Sequence, residues 1–332
     1  MIMDILIVKL GALGDVVNTL PLAVNLKLKL RARIHWLVEP LSFPLLKNHP
    51  FIDRVILFNK NAWKNSIPLV IHEIRNQRFD ITLDLQRIIK SGMFSLAAKT
   101  SRRIGFDRGR CKEMTYLFPF ERIPATGQTT HMVDQYLEFA HYLGINSTDV
   151  RWDIPTSGTV PFDLPGRYAV LNIGATKPAN RWTPGGFSQL AGMLMDRYGL
   201  PSVLTGTTED MNMAEAITGP NDEHIIDLVA KTSVNELADI IAGSSLVVSC
   251  DTGPMHLATA LNKDVVALFG PADPKRTGPY RGEVVQKDIE CMPCNRRRCK
   301  NPVCMTSITA HDVIERIEAV LNTQGTEGLI KD

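Results

Sequence analysis

The chain has 332 residues, 44% of them hydrophobic and 22% charged, and a formal net charge of +2 at pH 7. That length suits two domains, each large enough for its own core. So small a net charge supplies no global field for nucleic acid, and no apolar stretch approaches the roughly 20 residues that span a bilayer.

The opening Met1-Ile2-Met3-Asp4-Ile5-Leu6-Ile7-Val8 lacks a basic n-region and a small-residue cleavage site, so it predicts a first strand and not a signal peptide. Further strands are expected at residues 34–38, 54–58, 81–85 and 103–105, after a first at 5–9. Apolar residues at helical spacing (Val17, Leu20, Val24, Leu28) predict a helix over 16–30, with a kink or late start at Pro21. A second helix is expected at 131–143, closed by Gly144. From Arg87 to Lys112 there are eight basic residues (Arg87, Lys90, Lys99, Arg102, Arg103, Arg108, Arg110, Lys112) and one acid, Asp107. Such a run is either a solvated face or a surface for an anionic acceptor or membrane.

Residues 154–166 hold repeated prolines and glycines and read as a linker. The alternation then restarts, with strands expected at 168–173, 202–205, 225–227, 246–249 and 265–269, and helices at 184–198, 234–242, 254–261 and 310–321. Strand and helix in alternation argue for parallel sheets.

Two strand-to-helix turns stand out. Lys9-Leu10-Gly11-Ala12-Leu13-Gly14-Asp15 brings glycines that allow a sharp turn and close backbone approach, with Asp15 at or near a helix N-cap. Its spacing fits neither Gly-x-Gly-x-x-Gly nor a Walker loop. Asp251-Thr252-Gly253-Pro254-Met255-His256 follows a second buried run. Pro254 costs nothing in a first helical turn, and the amides of Thr252, Gly253 and Met255 are expected to form an anion site with the helix dipole. The same sheet edge should carry the loop from Asn172 through Thr176 to Arg181-Trp182, the loop at residues 205–210 with Glu209 and Asp210, and the Gly270-Pro271 loop. Arg181 suits phosphate oxygens; alternatively it is a surface arginine stacked on Trp182. His256 is either a packed helix residue or a ligand contact. Cys291, Cys294, Cys299 and Cys304 are spaced tightly enough for one structural zinc or iron–sulfur site, the alternative being free or disulfide-linked thiols.

The Lys-x-Gly-x-x-Gly-Asp opening, the run from Asp251 to Ala258, Ala267-Leu268-Phe269-Gly270-Pro271, Asp84-Leu85-Gln86 and Arg103-Ile104-Gly105-Phe106-Asp107 together resemble glycosyltransferase family 9, the ADP-heptose:lipopolysaccharide heptosyltransferases, over nearly the whole chain. The resemblance is nearest to the heptosyltransferase I-like branch. It implies a GT-B fold: two Rossmann-like α/β domains with parallel sheets facing a central cleft. Residues 1–153 would bind the acceptor, 154–166 would link, and 167–308 would bind the nucleotide-sugar. The last helix, within 309–332, would cross back to the first domain. The resemblance makes Asp15 the general base. It puts the donor, ADP-heptose, against Thr176, Arg181, Glu209, Asp251, Thr252, Gly253, Pro254, Met255 and His256. The acceptor, an anionic glycolipid of the Kdo–lipid A type, would lie against Gly11, Gly14, Arg87, Lys90 and Arg103. A helix N-terminus and an arginine can stabilise a leaving diphosphate, so no cofactor is expected. The reaction implied is an inverting transfer by a cytoplasmic enzyme in peripheral contact with the inner membrane leaflet. Rival readings are a non-hydrolysing epimerase of the same fold, a dehydrogenase and a non-catalytic nucleotide-binding protein.

Overall fold

Strand β1 (Asp4–Val8) is buried at every residue, and a strand covered on both faces calls for parallel neighbours and flanking helices. The computed structural model, which describes residues 2–125, 127, 131–219 and 223–323, has that arrangement twice. The chain divides into two units, Met1–Pro155 and Thr156–Asp332.

The first unit runs β1, α1 (Leu13–Leu30), β2 (Arg33–Val38), α2 (Phe43–Lys47), β3 (Arg54–Leu57), α3 (Trp63–Arg75), β4 (Arg78–Asp84), α4 (Ile89–Ala97), β5 (Lys99–Gly105), β6 (Glu121–Arg122) and α5 (Met132–Tyr142). Its sheet order is β3-β2-β1-β4-β5-β6, parallel throughout. The second runs β7 (Ala169–Asn172), α6 (Pro184–Tyr198), β8 (Ser202–Thr205), α7 (Met211–Ile217), β9 (Ile225–Asp227), α8 (Val234–Gly243), β10 (Leu246–Cys250), α9 (Gly253–Ala260), β11 (Val265–Phe269), α10 (Pro274–Thr277), β12 (Glu283–Gln286), α11 (Val303–Thr306) and α12 (Ala310–Thr323). Its sheet, again all parallel, has the order β12-β11-β10-β7-β8-β9.

Each sheet starts near its middle, winds to one edge and then returns to the other side of its starting strand. The strand order reverses between β1 and β4 in the first unit and between β7 and β10 in the second. At such a switch point the following helices leave on opposite faces, and a crevice opens at the carboxyl ends of the two strands.

Helix α1 passes through Pro21 without a break. The helix starts eight residues before Pro21, so the late start expected there does not occur, and Asn25 Nδ2 donates to the Pro21 carbonyl at 2.7 Å. The helix begins at Leu13, which puts Asp15 in its first turn, past the N-cap residue Ala12. Val313, Ile314 and Ile317 of α12 are buried in the second unit's core with Leu190 and Leu194 of α6 and Val266 of β11. The rest of the expected crossing segment, residues 324–332, lies outside the described residues.

Gly282 stands immediately before β12, at φ +134°, where an added Cβ would lie 2.7 Å from the Val265 carbonyl oxygen. Only glycine adopts that backbone without strain. Gly282→Ala is expected to cost about 2–4 kcal/mol, read as a lower urea midpoint with an unchanged slope; an unshifted midpoint would contradict this account of the β12 approach.

Candidate functional site

The first switch point is lined by charge. Lys9, just beyond β1, is only 1% exposed; its Nζ lies 3.4 Å from Asp15 Oδ2 and 5.3 Å from the centroid of the Tyr136 ring. Burial pushes the Lys9 amine down from its ordinary value, Asp15 opposes this and the neighbouring Arg87 adds to it. The Tyr136 hydroxyl donates to Asp15 Oδ1 at 3.3 Å, and burial raises that phenol well above its usual range. The turn itself is held from across the crevice. Gln86 Oε1 accepts from the amides of Leu10 and Gly11 at 3.1 and 3.4 Å, and Trp36 Nε1 donates to the Lys9 carbonyl at 3.0 Å. Asp84, at the end of β4, accepts from Ser91 Oγ at 2.8 Å and from the amides of Gln86 and Arg87. Burial nevertheless raises its carboxyl to about 6. Arg87 is buried, takes φ +66°, and stacks its guanidinium 4.9 Å from the Phe106 centroid, with no hydrogen-bond partner at Nε.

The second switch point is built from paired polar groups. Arg181 Nη2 lies 2.6 Å from Asp210 Oδ1, while Asp210 Oδ2 accepts from the amide and hydroxyl of Thr207 at 2.8 and 2.9 Å. Two glycines make room for that carboxylate: a Cβ on Gly174 would fall 2.7 Å from Asp210 Oδ2, and one on Gly206 would fall 3.1 Å from it. Trp182 turns inward and donates from Nε1 to the Ile308 carbonyl at 2.9 Å, packing edge-on to Phe187. Arg181 is thus carried by a buried neighbour and is not stacked on it. Asn180 Nδ2 donates to Asp251 Oδ2 at 2.9 Å. Burial raises the Asp251 carboxyl to about 6, against the pull of Lys177 and the Asn180 hydrogen bond. Thr252 caps α9 in extended conformation, with Pro254 in the first turn.

The structure brings Asp15, Arg87 and Lys9 together at one crevice, and Arg181, Asp251, Asn180 and Thr252 at the other. The other residues that the resemblance implies lie in varied surroundings. Met255 is fully buried, and its amide is spent on the Thr252 carbonyl at 3.2 Å. His256 is also buried. Glu209 and Thr176 are exposed, and the carboxylate in the pocket is its neighbour Asp210. Arg103 donates to the carbonyls of Ser95, Leu96 and Ala98 at the end of α4 and so serves as a helix C-cap, away from Asp15. Lys90 pairs with Glu39 at 2.9 Å and lies over Phe58. The basic run does not act as one patch, because Arg102 is committed to Glu121 and Arg110 to Asp107 and Glu138.

The four cysteines stand as free thiols, and only Cys304 turns into the core, where a Cβ on Gly270 would meet its Sγ at 3.1 Å. Among the described residues no group of three or more His, Cys, Asp or Glu side chains converges to hold a metal ion. The zinc site inferred from cysteine spacing therefore has no support: most of that segment is an irregular exposed stretch in which close sequence spacing does not impose convergence.

Lys9, Tyr136, Gln86, Asp84, Asn180 and Asp210 were not singled out in the sequence as site residues. For Asp210 a signal existed, since a glycine just beyond each of two strand ends, Gly174 after β7 and Gly206 after β8, marks a place where backbone meets a buried group.

Residues 69–304 match the model of glycosyltransferase family 9 (heptosyltransferase). The lipopolysaccharide core heptosyltransferase OpsX of Haemophilus influenzae is 25% identical over 283 residues, 82% of this chain and 81% of that protein. Lipopolysaccharide heptosyltransferase 1 of Escherichia coli is 26% identical, over 84% of this chain and 91% of its own length. In fold, the chain is similar to the E. coli heptosyltransferase WaaC with ADP, at TM-score 0.79 and 24% identity, covering 96% of this chain and all (100%) of that one. A second structure of it, with ADP-2-deoxy-2-fluoro heptose, gives TM-score 0.77 at the same 24% identity, over 96% and 99% of the two chains. The two parallel-sheet α/β domains are those of GT-B heptosyltransferases.

Asp251 generates a pH prediction. Its folded carboxyl, at about 6, binds a proton that the unfolded group, at 3.8, has already released. Stability therefore falls as pH rises from about 4 to about 6, and the ionised form costs on the order of 2–3 kcal/mol above that window. Asp251→Asn keeps an oxygen for Asn180 and removes the charge. It should melt higher than the native chain at pH 8, with the difference shrinking toward zero by pH 4; equal differences at both pH values would contradict the burial account.

Proposed function

The chain belongs to glycosyltransferase family 9, and we propose that it is an inverting enzyme that moves a heptose from ADP-heptose to an anionic inner-core acceptor of lipopolysaccharide, of the Kdo–lipid A type. One observation carries the reading: the family match spans residues 69–304 and so takes in both Asp84–Arg87 and the whole second switch point.

The second unit would hold the donor. Arg181 is a planar fork with five N–H donors, and its contact with Asp210 at 2.6 Å fixes its direction. With the amides of Thr252 and Gly253 at the start of α9 it faces charge that grows as ADP departs. Asp251, Pro254 and Asn180 shape that corner; Thr176 and Glu209 remain candidates for the outer parts of the nucleotide, and His256 for a contact from the second turn of α9. The first unit would hold the acceptor, at Gly11, Gly14, Arg87 and Lys90. Asp15 would take the proton from the attacking hydroxyl, with Lys9 stabilising its ionised form and Tyr136 fixing one oxygen. The transfer requires that hydroxyl to reach the anomeric carbon of the donor, and one displacement inverts the centre. Such a lipid-borne acceptor places the work at the cytoplasmic face of the inner membrane; no helix among the described residues is long and apolar enough to cross a membrane.

Asp15→Asn should lower kcat by about 10²–10⁴-fold while leaving ADP binding, read by thermal shift, unchanged. Retained turnover would remove Asp15 as the base. Arg181→Ala should raise the donor KM and reduce the ADP-induced shift. A screen of ADP-, UDP-, GDP- and CMP-sugars by the same method tests the donor, since a ligand bound to the folded state stabilises by mass action; a larger shift with UDP- or GDP-sugars than with ADP-heptose would overturn the donor assignment.

A further inference from the structure

Fifteen large apolar side chains are left exposed among the described residues, and twelve of them belong to the first unit. Six of the twelve sit where the chain leaves four of the five successive strands β3-β2-β1-β4-β5: Leu41 after β2, Trp63 after β3, Ile89 and Met93 after β4, and Met114 and Leu117 after β5. Parallel strands end on the same side of a sheet, so these residues share one edge, the edge that also carries the Lys9–Asp15 turn.

The apolar residues of β4 and β5 are fixed next to one another. Ile89 and Met93 are one turn apart on α4. The segment after β5 is laid along that helix: the Ile89 amide donates to Glu113 Oε2 at 3.0 Å, the Lys112 amide to the Arg87 carbonyl at 3.1 Å, and Thr115 Oγ1 to the same carbonyl at 3.4 Å. Gly92 permits the approach, because a Cβ there would fall 2.2 Å from the Phe118 ring. Met93 and Leu117 are 62% and 66% exposed in spite of this ordering.

Charge accompanies the apolar groups. Residues 39–47, 58–64, 85–93 and 106–118, which form this edge, contain eight basic and three acidic residues, in a chain whose net charge is +2. The acids are already engaged: Glu39 with Lys60 and Lys90, Asp107 with Arg110, and Glu113 with the Ile89 amide. Lys64 flanks Trp63, with Nζ 5.8 Å from the ring centroid. An apolar patch by itself would suit a protein partner. Apolar groups with an interfacial tryptophan and an excess of lysine and arginine suit a bilayer with anionic headgroups.

We propose that this edge of the first sheet is a docking surface for an anionic lipid bilayer. It lies beside Asp15, so a hydroxyl borne on a lipid would be presented to the carboxylate from the membrane itself. The inference builds on the proposed lipid-borne acceptor and adds the face that meets the lipid.

The test is co-sedimentation of the full chain with vesicles of phosphatidylglycerol and phosphatidylethanolamine, and with phosphatidylcholine vesicles as the neutral control. The native chain should bind the anionic vesicles at least about tenfold more tightly than the neutral ones, and less as salt is raised. The Met93→Ser/Leu117→Ser double variant and, separately, the surface change Lys64→Glu should each weaken that binding severalfold, with melting temperature and ADP-induced thermal shift unchanged. No binding to anionic vesicles, or equal binding by native and variant chains, overturns the proposal; so does a dimer of the native chain that these substitutions dissolve, which would make the face a self-association surface. The two readings fail separately. Lost vesicle binding with ADP binding and transfer to a detergent-solubilised acceptor intact sinks only the docking, whereas vesicle binding without any ADP response sinks the assigned activity.

Discussion

The reversal of strand order in each sheet is the constraint from which the rest follows. Crossovers between parallel strands are right-handed, so a chain that starts in the middle of a sheet and fills both sides must send its helices to opposite faces at the point of reversal. The order reverses between β1 and β4 and between β7 and β10, and such a reversal opens a crevice at the strand ends. Strands β1, β7, β8, β10 and β11 are buried at every residue, where an unpaired charge would be costly. Much of the polar chemistry of this chain gathers at the two places where topology leaves an opening.

What gathers there differs between the units, and the electrostatics says how. At the first opening, burial and then the neighbouring Arg87 guanidinium push the Lys9 amine down, and Asp15 and Asp84 oppose them. A buried arginine with no partner at Nε is costly, and such a cost is tolerated where an anion is received. At the second opening Arg181 pairs with Asp210 and Asn180 donates to Asp251, although Asn180 Oδ1 is buried without a hydrogen-bond partner. The direction of Arg181 is thus set by Asp210 within the protein, as preorganised stabilisation of a leaving group demands.

Much of the fold was legible because buried parallel strands read as apolar runs, as in β1, β2, β7, β8, β10 and β11. What the sequence concealed has local causes. Helix α3 carries Pro68 inside and exposed Leu69 on its surface, which obscure a core face of Val70 and Ile74; β6 is two residues long, and β12 has one buried residue of four. The site was half visible. Asp15, Arg181 and Asp251 announce themselves by standing just past a strand end in a glycine- or proline-bearing turn. Their partners do not, because pairing is a tertiary fact: Tyr136 lies 121 positions from Asp15, and Asn180 lies 71 from Asp251. Position in a motif does not by itself say which way a side chain faces. Met255 is in the right turn but on the core side of its helix, and Arg103 is in the right strand but bound to the wrong end of α4.

The same distinction between position and direction explains Glu209 and Asp210. Both lie in the loop after β8, and the longer, more exposed carboxylate looks the better reach for a ligand. The loop is instead organised around the shorter one. Asp210 closes back onto the Thr207 amide and hydroxyl, and Gly174 and Gly206 give up their side chains to let it sit there. Extending that side chain by one methylene would drive its carboxylate into backbone, whereas shortening the reach of Glu209 would disturb nothing buried. The carboxylate that orders the pocket is the one with no room to move, and it acts on a ligand through the arginine it holds.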